Sequence, residues 1–436
     1  MALKTKNLLS SKRLSDRSSN DFARFAYIHI PFCRRRCYYC DFPIAVLGNK
    51  TNIDTSVAIA EYAEALCREI ATAPVFGQPL ETVFFGGGTP SLLPVKYLEK
   101  ILETLSQQFG ISPHAEISME MDPGTFTLEQ LQGYRKAGVN RVSLGVQTFE
   151  DELLQLCGRS HSVDNIFEAI ELIQQVGIDN FSLDLISGLP HQTINQWQAS
   201  LEKAISIAPK HLSCYDLVIE PVTAFGKRFQ PGENPLPTDE ITSQMYRLAQ
   251  QMLTEAGYEH YEISNYAKKG YQCRHNRVYW ENGAYYGFGM GAASYINHQR
   301  FTRPRTRVEY YAWVQQLVKN KGVIDDPETS ESDRLLETLM LGFRLSEGID
   351  LAKLCQQFGE EILEKIWLCL QPYTRQGWVE WVAKDGGAIA IDNTKDFLNF
   401  QRVKLTDPEG FLFSNTVLAA LFNKLEVSSS VGAESQ

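Results

Sequence analysis

Three cysteines, Cys33, Cys37 and Cys40, close the stretch Tyr27-Ile-His-Ile-Pro-Phe-Cys-Arg-Arg-Arg-Cys-Tyr-Tyr-Cys-Asp-Phe42. Their C-x3-C-x2-C spacing follows an apolar run that reads as a strand, so three thiolates can converge in one loop without help from distant sequence. Such a trio suits an iron–sulfur cluster. Four irons usually take four thiolates, and three leave one iron open to a small molecule. A zinc site is the competing reading, but structural zinc normally takes four protein ligands from paired C-x2-C knuckles, and the sequence shows no second knuckle. Cys67, Cys157, Cys214, Cys355 and Cys369 stand isolated in apolar runs and read as core thiols.

Downstream, polar residues recur where apolar runs end. Phe85 is followed by Gly86-Gly87-Gly88-Thr89-Pro90, where glycine lets the backbone approach a ligand closely and exposed amides can hold a carboxylate. A phosphate loop is excluded, because no Gly-Lys-Ser/Thr follows. Glu120, Gln147 and Asp184 end the next runs, and Arg159 follows Gln147. Singly each is an ordinary polar residue at a strand end; together they would line one pocket.

The elements that must position them alternate. Strands are expected at Ala26–Ile30, Thr82–Phe85, Glu116–Met121, Arg141–Val146, Phe181–Ile186 and His211–Val218. Helices are expected near Ala58–Ala71, Val95–Phe109, Leu128–Ala137, Val163–Val176 and Ile194–Ile207. This repetition predicts parallel strands with right-handed crossovers, an α/β chain folded as a partial (β/α)6 barrel of the TIM type. In that architecture reactive groups gather at the C-terminal strand ends, where the motifs fall. After Arg305 the alternation stops. Helical patterns at Ser332–Leu345 and Leu351–Cys369, then a hairpin of Gly377–Val382 and Ala388–Ile391, predict a mainly helical, winged-helix-like C-terminal domain. The expected organisation is a basic disordered tail over 1–23, the barrel over 24–305, the second domain over 306–425 and a disordered end over 426–436.

The chain has 436 residues, is 44% hydrophobic and 22% charged, and carries a net charge of -10. That balance argues for an ordinary globular protein and against nucleic-acid binding, which needs clustered cations. Arg34, Arg35 and Arg36 are a local basic exception. Nine scattered cysteines do not make a disulfide framework. No apolar run reaches the roughly 18 residues of a membrane span, and no signal-peptide core is visible. A cytoplasmic, reducing location is expected, with peripheral membrane contact left open.

The cysteine stretch, with aromatic Tyr39 before the last cysteine, resembles the signature of the radical S-adenosylmethionine superfamily. Gly-Gly-Gly-Thr-Pro, Glu120-Met-Asp-Pro, Ser143-Leu-Gly-Val-Gln-Thr and Asp184-Leu-Ile-Ser-Gly-Leu-Pro narrow the resemblance to oxygen-independent coproporphyrinogen III oxidase and its relatives, from Phe25 to about Asn415. The resemblance implies a [4Fe-4S] cluster on Cys33, Cys37 and Cys40. It also implies S-adenosylmethionine surrounded by Tyr27, Tyr39, Gly87, Gly88, Thr89, Glu120, Gln147, Arg159 and Asp184. Glu120 would take the cofactor's ammonium, Arg159 a carboxylate, and Asp184 ribose hydroxyls or a second ligand.

One position departs from the oxidase. Oxidases of this family carry a further cysteine two places after the third cluster ligand, and here that place is Phe42. Cys40-Asp-Phe42 resembles the heme chaperone (HemW-type) branch, as does Cys273-Arg-His275-Asn-Arg-Val-Tyr279-Trp280. Cys273 and His275 are candidate ligands for heme iron, and Tyr279 and Trp280 offer flat apolar surface to a porphyrin. A satisfied structural network is the competing reading of that element. The leading expectation is a heme chaperone that holds the cluster and S-adenosylmethionine, binds heme, passes it to heme-accepting proteins, and draws on a reductant protein. The alternatives are the oxidase itself and, third, a cluster-bearing electron carrier or redox sensor.

Overall fold

The structure is a computed structural model that describes residues 22–48, 56–76, 79–324, 326–383 and 400–431. Strands occur in the order β1 (Phe25–Ile30), the short parallel pair β2 (Phe32–Cys33) and β3 (Ala45–Val46), then β4 (Leu80–Gly87), β5 (Ile111–Met121), β6 (Arg141–Gln147), β7 (Phe181–Ser187) and β8 (His211–Asp216). In space β1, β4, β5, β6, β7 and β8 are successive neighbours, all parallel. These are the six expected strands, and the helices Val57–Thr72, Val95–Phe109, Leu128–Ala137, Val163–Val176 and Ile194–Ile207 connect them where the periodicity placed them.

Local sequence explains the sharp boundaries. Ser162 and Thr193 each close a capping box with the residue three places on, and Gly177 ends its helix in the left-handed conformation. The parallel strands are buried on both faces, so they read as apolar runs rather than alternating ones.

Among the described residues nine strands form the sheet, because both edges are extended. At one edge β9 (Glu259–Glu262) and β10 (Asn265–Ala267) add antiparallel to β8. At the other, β11 (Tyr286–Phe288) pairs parallel with β1, with Ala26 opposite Tyr286. That glycine-rich segment gave no strand signal. A hairpin of β12 (Ala293–Ile296) and β13 (Gln299–Thr302) follows.

A second apolar core lies beyond the sheet, built on Leu339, Phe343, Ile366, Trp367, Trp381, Val403 and Leu421 among others. Helices Glu331–Gly342, Leu351–Phe358, Glu360–Arg375 and Ser414–Val431 surround a small antiparallel sheet in which β16 (Phe400–Leu405) lies between β14 (Ile349–Asp350) and β15 (Val379–Ala383). Two expectations differ here, and a third falls outside the described residues. The helix expected over Leu351–Cys369 is two helices, broken at Gly359, whose φ of 86° cannot continue a helix. The hairpin partner expected at Ala388–Ile391 lies outside the described residues; within them β15 pairs with β16. The last helix runs to Val431, into the end expected to be disordered from Glu426. The basic tail, through residue 21, also lies outside the described residues. The two cores are clasped by Arg247–Glu409 at 2.6 Å and by the Arg277–Glu347 ion pair.

Candidate functional site

The C-terminal ends of the parallel strands surround a cavity of about 280 Å³. Cys33, Cys37, Tyr39, Cys40, Gly87, Gly88, Thr89, Glu120, Gln147, Arg159 and Asp184 all line it. Tyr27 stands behind that wall, beside Glu120 in an adjoining interior cavity of about 190 Å³.

Cys33 ends β2 and is held in place when the Leu47 amide donates to its carbonyl at 2.9 Å. The loop then turns back on itself, with the Cys40 amide donating to the Cys37 carbonyl at 3.2 Å and Arg36 donating to the Cys40 and Phe42 carbonyls. All three thiols are free. Burial pushes the Cys33 thiol up to about 12, against the pull of the Thr89 hydroxyl 3.6 Å away. A neighbouring cation is therefore needed to hold it as a thiolate. Among the described residues no three metal-binding side chains converge on a single-ion site. The cysteines instead ring one wall of the cavity, an arrangement that fits a cluster whose ligands attach to different irons.

Beside Cys33 lies the glycine loop. Gly87 has φ 114°, and a Cβ there would meet the His29 ring at 2.4 Å; a Cβ on Gly88 would meet the Phe32 carbonyl oxygen at 2.8 Å. The loop therefore packs directly against the cysteine segment only because side chains are missing. The Gly87 amide donates to Glu120 Oε2 at 3.0 Å. Burial nonetheless raises the Glu120 carboxyl to about 7, with Asp184 and Asp122 adding to the rise. Such a group readily meets a ligand ammonium. Asp184 accepts from Ser143 Oγ at 2.9 Å and Ser182 Oγ at 3.0 Å. Gln147 ends β6 with φ 68°, a rare conformation for a side-chain-bearing residue.

Two further residues complete this wall. Asp122 accepts from the Thr89 hydroxyl at 3.0 Å and pairs with Arg159, whose Nη2 also donates to the Gly145 carbonyl at 3.0 Å. Phe42 is 51% exposed and lines both cavities, where the oxidase pattern places a thiol.

A third and larger cavity, about 770 Å³, opens between the β9–β10 edge and the second core. Tyr215, Tyr279, Trp280 and Tyr285 supply aromatic surface, with Ile263 and Met340 beside them. Its volume lies within the range of about 300–1,000 Å³ usual for ligand sites. Tyr215 lines all three cavities.

Cys273 and His275 do not line this larger cavity. Cys273 is fully buried, its Sγ 3.8 Å from Glu116 Oε1, and burial pushes its thiol up to about 12. His275 uses both ring nitrogens: Nδ1 lies 2.6 Å from Thr82 Oγ1 and Nε2 2.9 Å from the Tyr279 hydroxyl. Burial lowers its imidazole to about 3, so it stays neutral. The helix Arg274–Trp280 is anchored from below, because Glu116 accepts the amides of Arg274 and His275 at 3.3 Å each. Of the four residues singled out for heme, Tyr279 and Trp280 line this larger cavity, while His275 and Tyr279 line the adjoining 190 Å³ one.

Residues 27–204 match the Radical SAM superfamily, and residues 329–383 match the HemN C-terminal domain. A heme chaperone HemW of a Synechocystis strain is 51% identical over 92% of this chain and 97% of its own length. Those of Bacillus subtilis and Escherichia coli are 38% and 36% identical, covering 77% and 74% of this chain and 87% and 82% of theirs. The chain belongs to the HemW family. Coproporphyrinogen III oxidase (HemN) from Escherichia coli shares the fold, with a TM-score of 0.75 at 22% identity over 92% of this chain and 90% of that one.

For this HemW-family chain, sequence reasoning missed Asp122 and Tyr215. Asp122 had a usable signal: it stands two places after Glu120, on the same side of an extended strand end. Tyr215 had none, because its place follows from which cavities it lines. Among the described residues no helix is long and apolar enough to cross a membrane.

Proposed function

We propose that this protein is a heme chaperone: it binds heme and passes it to heme-accepting proteins, on a scaffold that holds a [4Fe-4S] cluster and S-adenosylmethionine. The observation that carries the reading is the 51% identity to a heme chaperone across nearly the full length of both chains. The aromatic 770 Å³ cavity beside the cofactor-sized one supports it, since a carrier needs an apolar docking space for a porphyrin.

In this reading Cys33, Cys37 and Cys40 hold the cluster. Glu120 and the Gly87–Thr89 loop meet the methionine end of S-adenosylmethionine, with Tyr39, Gln147, Arg159 and Asp184 around it and Tyr27 supporting Glu120 from behind. The Asp122–Arg159 pair fixes the guanidinium toward Cys37. Heme lies against Tyr279 and Trp280, while Cys273 and His275 support that surface from within. A reductant protein serves the cluster, and the protein works in the cytoplasm.

The oxidase is the reading to exclude, and Phe42 argues against it. Reconstituted protein incubated without oxygen with coproporphyrinogen III, S-adenosylmethionine and a reductant should yield no decarboxylated product. Formation of protoporphyrinogen IX would make the chain an oxidase.

A further inference from the structure

Arg34, Arg35 and Arg36 stand between Cys33 and Cys37, and the fold brings two more guanidinium groups to the same loop. Arg305 donates to the Asp41 carbonyl at 2.8 Å, and Arg228 lies over the Tyr38 ring at 5.6 Å. Arg34 donates to the Gly124 carbonyl at 3.0 Å, and Arg36 to those of Cys40 and Phe42 at 3.2 and 3.0 Å. A carbonyl positions a guanidinium without neutralising it. Among the described residues none of these five arginines makes an ion pair, whereas Arg247, Arg277 and Arg300 elsewhere all do. Within Cys33–Phe42 the single carboxylate is Asp41, so a cationic rim stands on a chain of net charge -10. Tyr38, Phe42 and Val46 are exposed on the same segment. Arginine interleaved with exposed aromatic surface is the composition of a protein contact rather than of a merely solvated face. Arg34 and Arg35 line the 280 Å³ cavity beside the three cysteines, and none of the five lines the 770 Å³ one.

We propose that this rim is the docking surface for an acidic one-electron carrier protein, whose own redox group is oxidised by one electron as the cluster is reduced by one. The inference rests on the reading that Cys33, Cys37 and Cys40 hold a cluster served by a reductant protein, and adds where that protein sits and what charge it carries. Electron transfer falls off steeply with distance, so the carrier must seat over the cysteine loop itself, and the uncompensated cations lie there. A negative partner is steered to them by the local field although the chain as a whole repels it. Encounters of this class are small and transient, so exposed charge on a few side chains is enough to decide them.

A bacterial flavodoxin, an acidic flavin carrier, is the probe, titrated by calorimetry into the full chain after its cluster is reconstituted without oxygen and checked by visible absorption. Binding should be saturable at about 0.02 M salt and about tenfold or more weaker at about 0.3 M, where exposed charges are screened. Arg35 and Arg228 are exposed and make no side-chain hydrogen bond among the described residues. Their joint reversal, Arg35→Glu with Arg228→Glu, should weaken low-salt binding about tenfold or more and flatten the salt dependence. Lys319→Glu with Arg375→Glu changes the net charge equally at two exposed helix ends outside the rim and should bind as the parent does. Equal weakening in both pairs, or no binding by the parent at low salt, overturns the docking surface. Binding of phosphatidylglycerol vesicles in place of flavodoxin, lost in the Arg35 and Arg228 variant, would assign the rim to an anionic membrane and overturn it likewise. Failure of the cluster to load overturns instead the reading on which the inference rests.

Discussion

Arg159 Nη1 lies 3.6 Å from Cys37 Sγ, joining residues 122 positions apart. The same guanidinium pairs with Asp122 through Nη2, and both side chains are largely buried, at 8% and 22% exposure. One side chain thus ties the ends of β5 and β6 to the cysteine loop. Removing one partner of a buried pair strands the other charge, which typically costs about 3–5 kcal/mol. Arg159→Ala should therefore lower the urea midpoint and weaken S-adenosylmethionine binding together. An unchanged midpoint would show that the pair is not holding the loop.

The cysteine assignment separates residues of similar type by position. Cys37→Ser should abolish the visible absorption of the reconstituted cluster, because one iron loses its thiolate. Cys157→Ser, a fully buried core thiol whose carbonyl accepts the Tyr38 amide at 3.0 Å, should leave it intact. A full-strength spectrum in the Cys37 variant would refute the three-cysteine site.

Much of this site could be read from residue order. The six parallel strands declared themselves because each is an apolar run bounded by turn residues, and the motifs then fell at their C-terminal ends. What sequence could not give is which residues meet from different elements. The His275 reading illustrates the limit: a histidine next to aromatics is written identically whether its ring nitrogens are open or, as here, held by Thr82 and Tyr279. Nor did Tyr286-Gly-Phe288 look like a strand, since only its partner β1 makes it one. The break at Gly359 was legible in principle, but continuous helical periodicity on both sides of it concealed the boundary.

His275→Ala tests the sealed network. The change leaves Thr82 and Tyr279 without a shared buried partner, so it should cost about 2–4 kcal/mol in denaturant. The absorption spectrum of any bound hemin should keep its shape, although affinity falls as Tyr279 loosens. A change of spectral type would instead make His275 an iron ligand.

Glu120 and Glu262 both carry carboxyls raised to about 7 from an ordinary value of 4.5. A carboxyl raised on folding contributes stability in full below 4.5 and loses it as pH climbs through 7, because ionising it inside costs more than in the unfolded chain. The ligand-free protein should thus lose on the order of 3 kcal/mol per group between those limits. Glu120→Gln and Glu262→Gln should each flatten the pH profile of the urea midpoint, with the gain over the parent appearing at the alkaline end. A parallel profile in both variants would mean that neither carboxyl is held protonated.

The most direct test of the carrier reading is titration of the purified protein with hemin, without reductant, S-adenosylmethionine or porphyrinogen, followed by absorbance. A docking surface needs no reaction, so saturable binding of one hemin per chain is expected, weakened by replacing Trp280 with Ala. Absence of saturable binding would contradict the account.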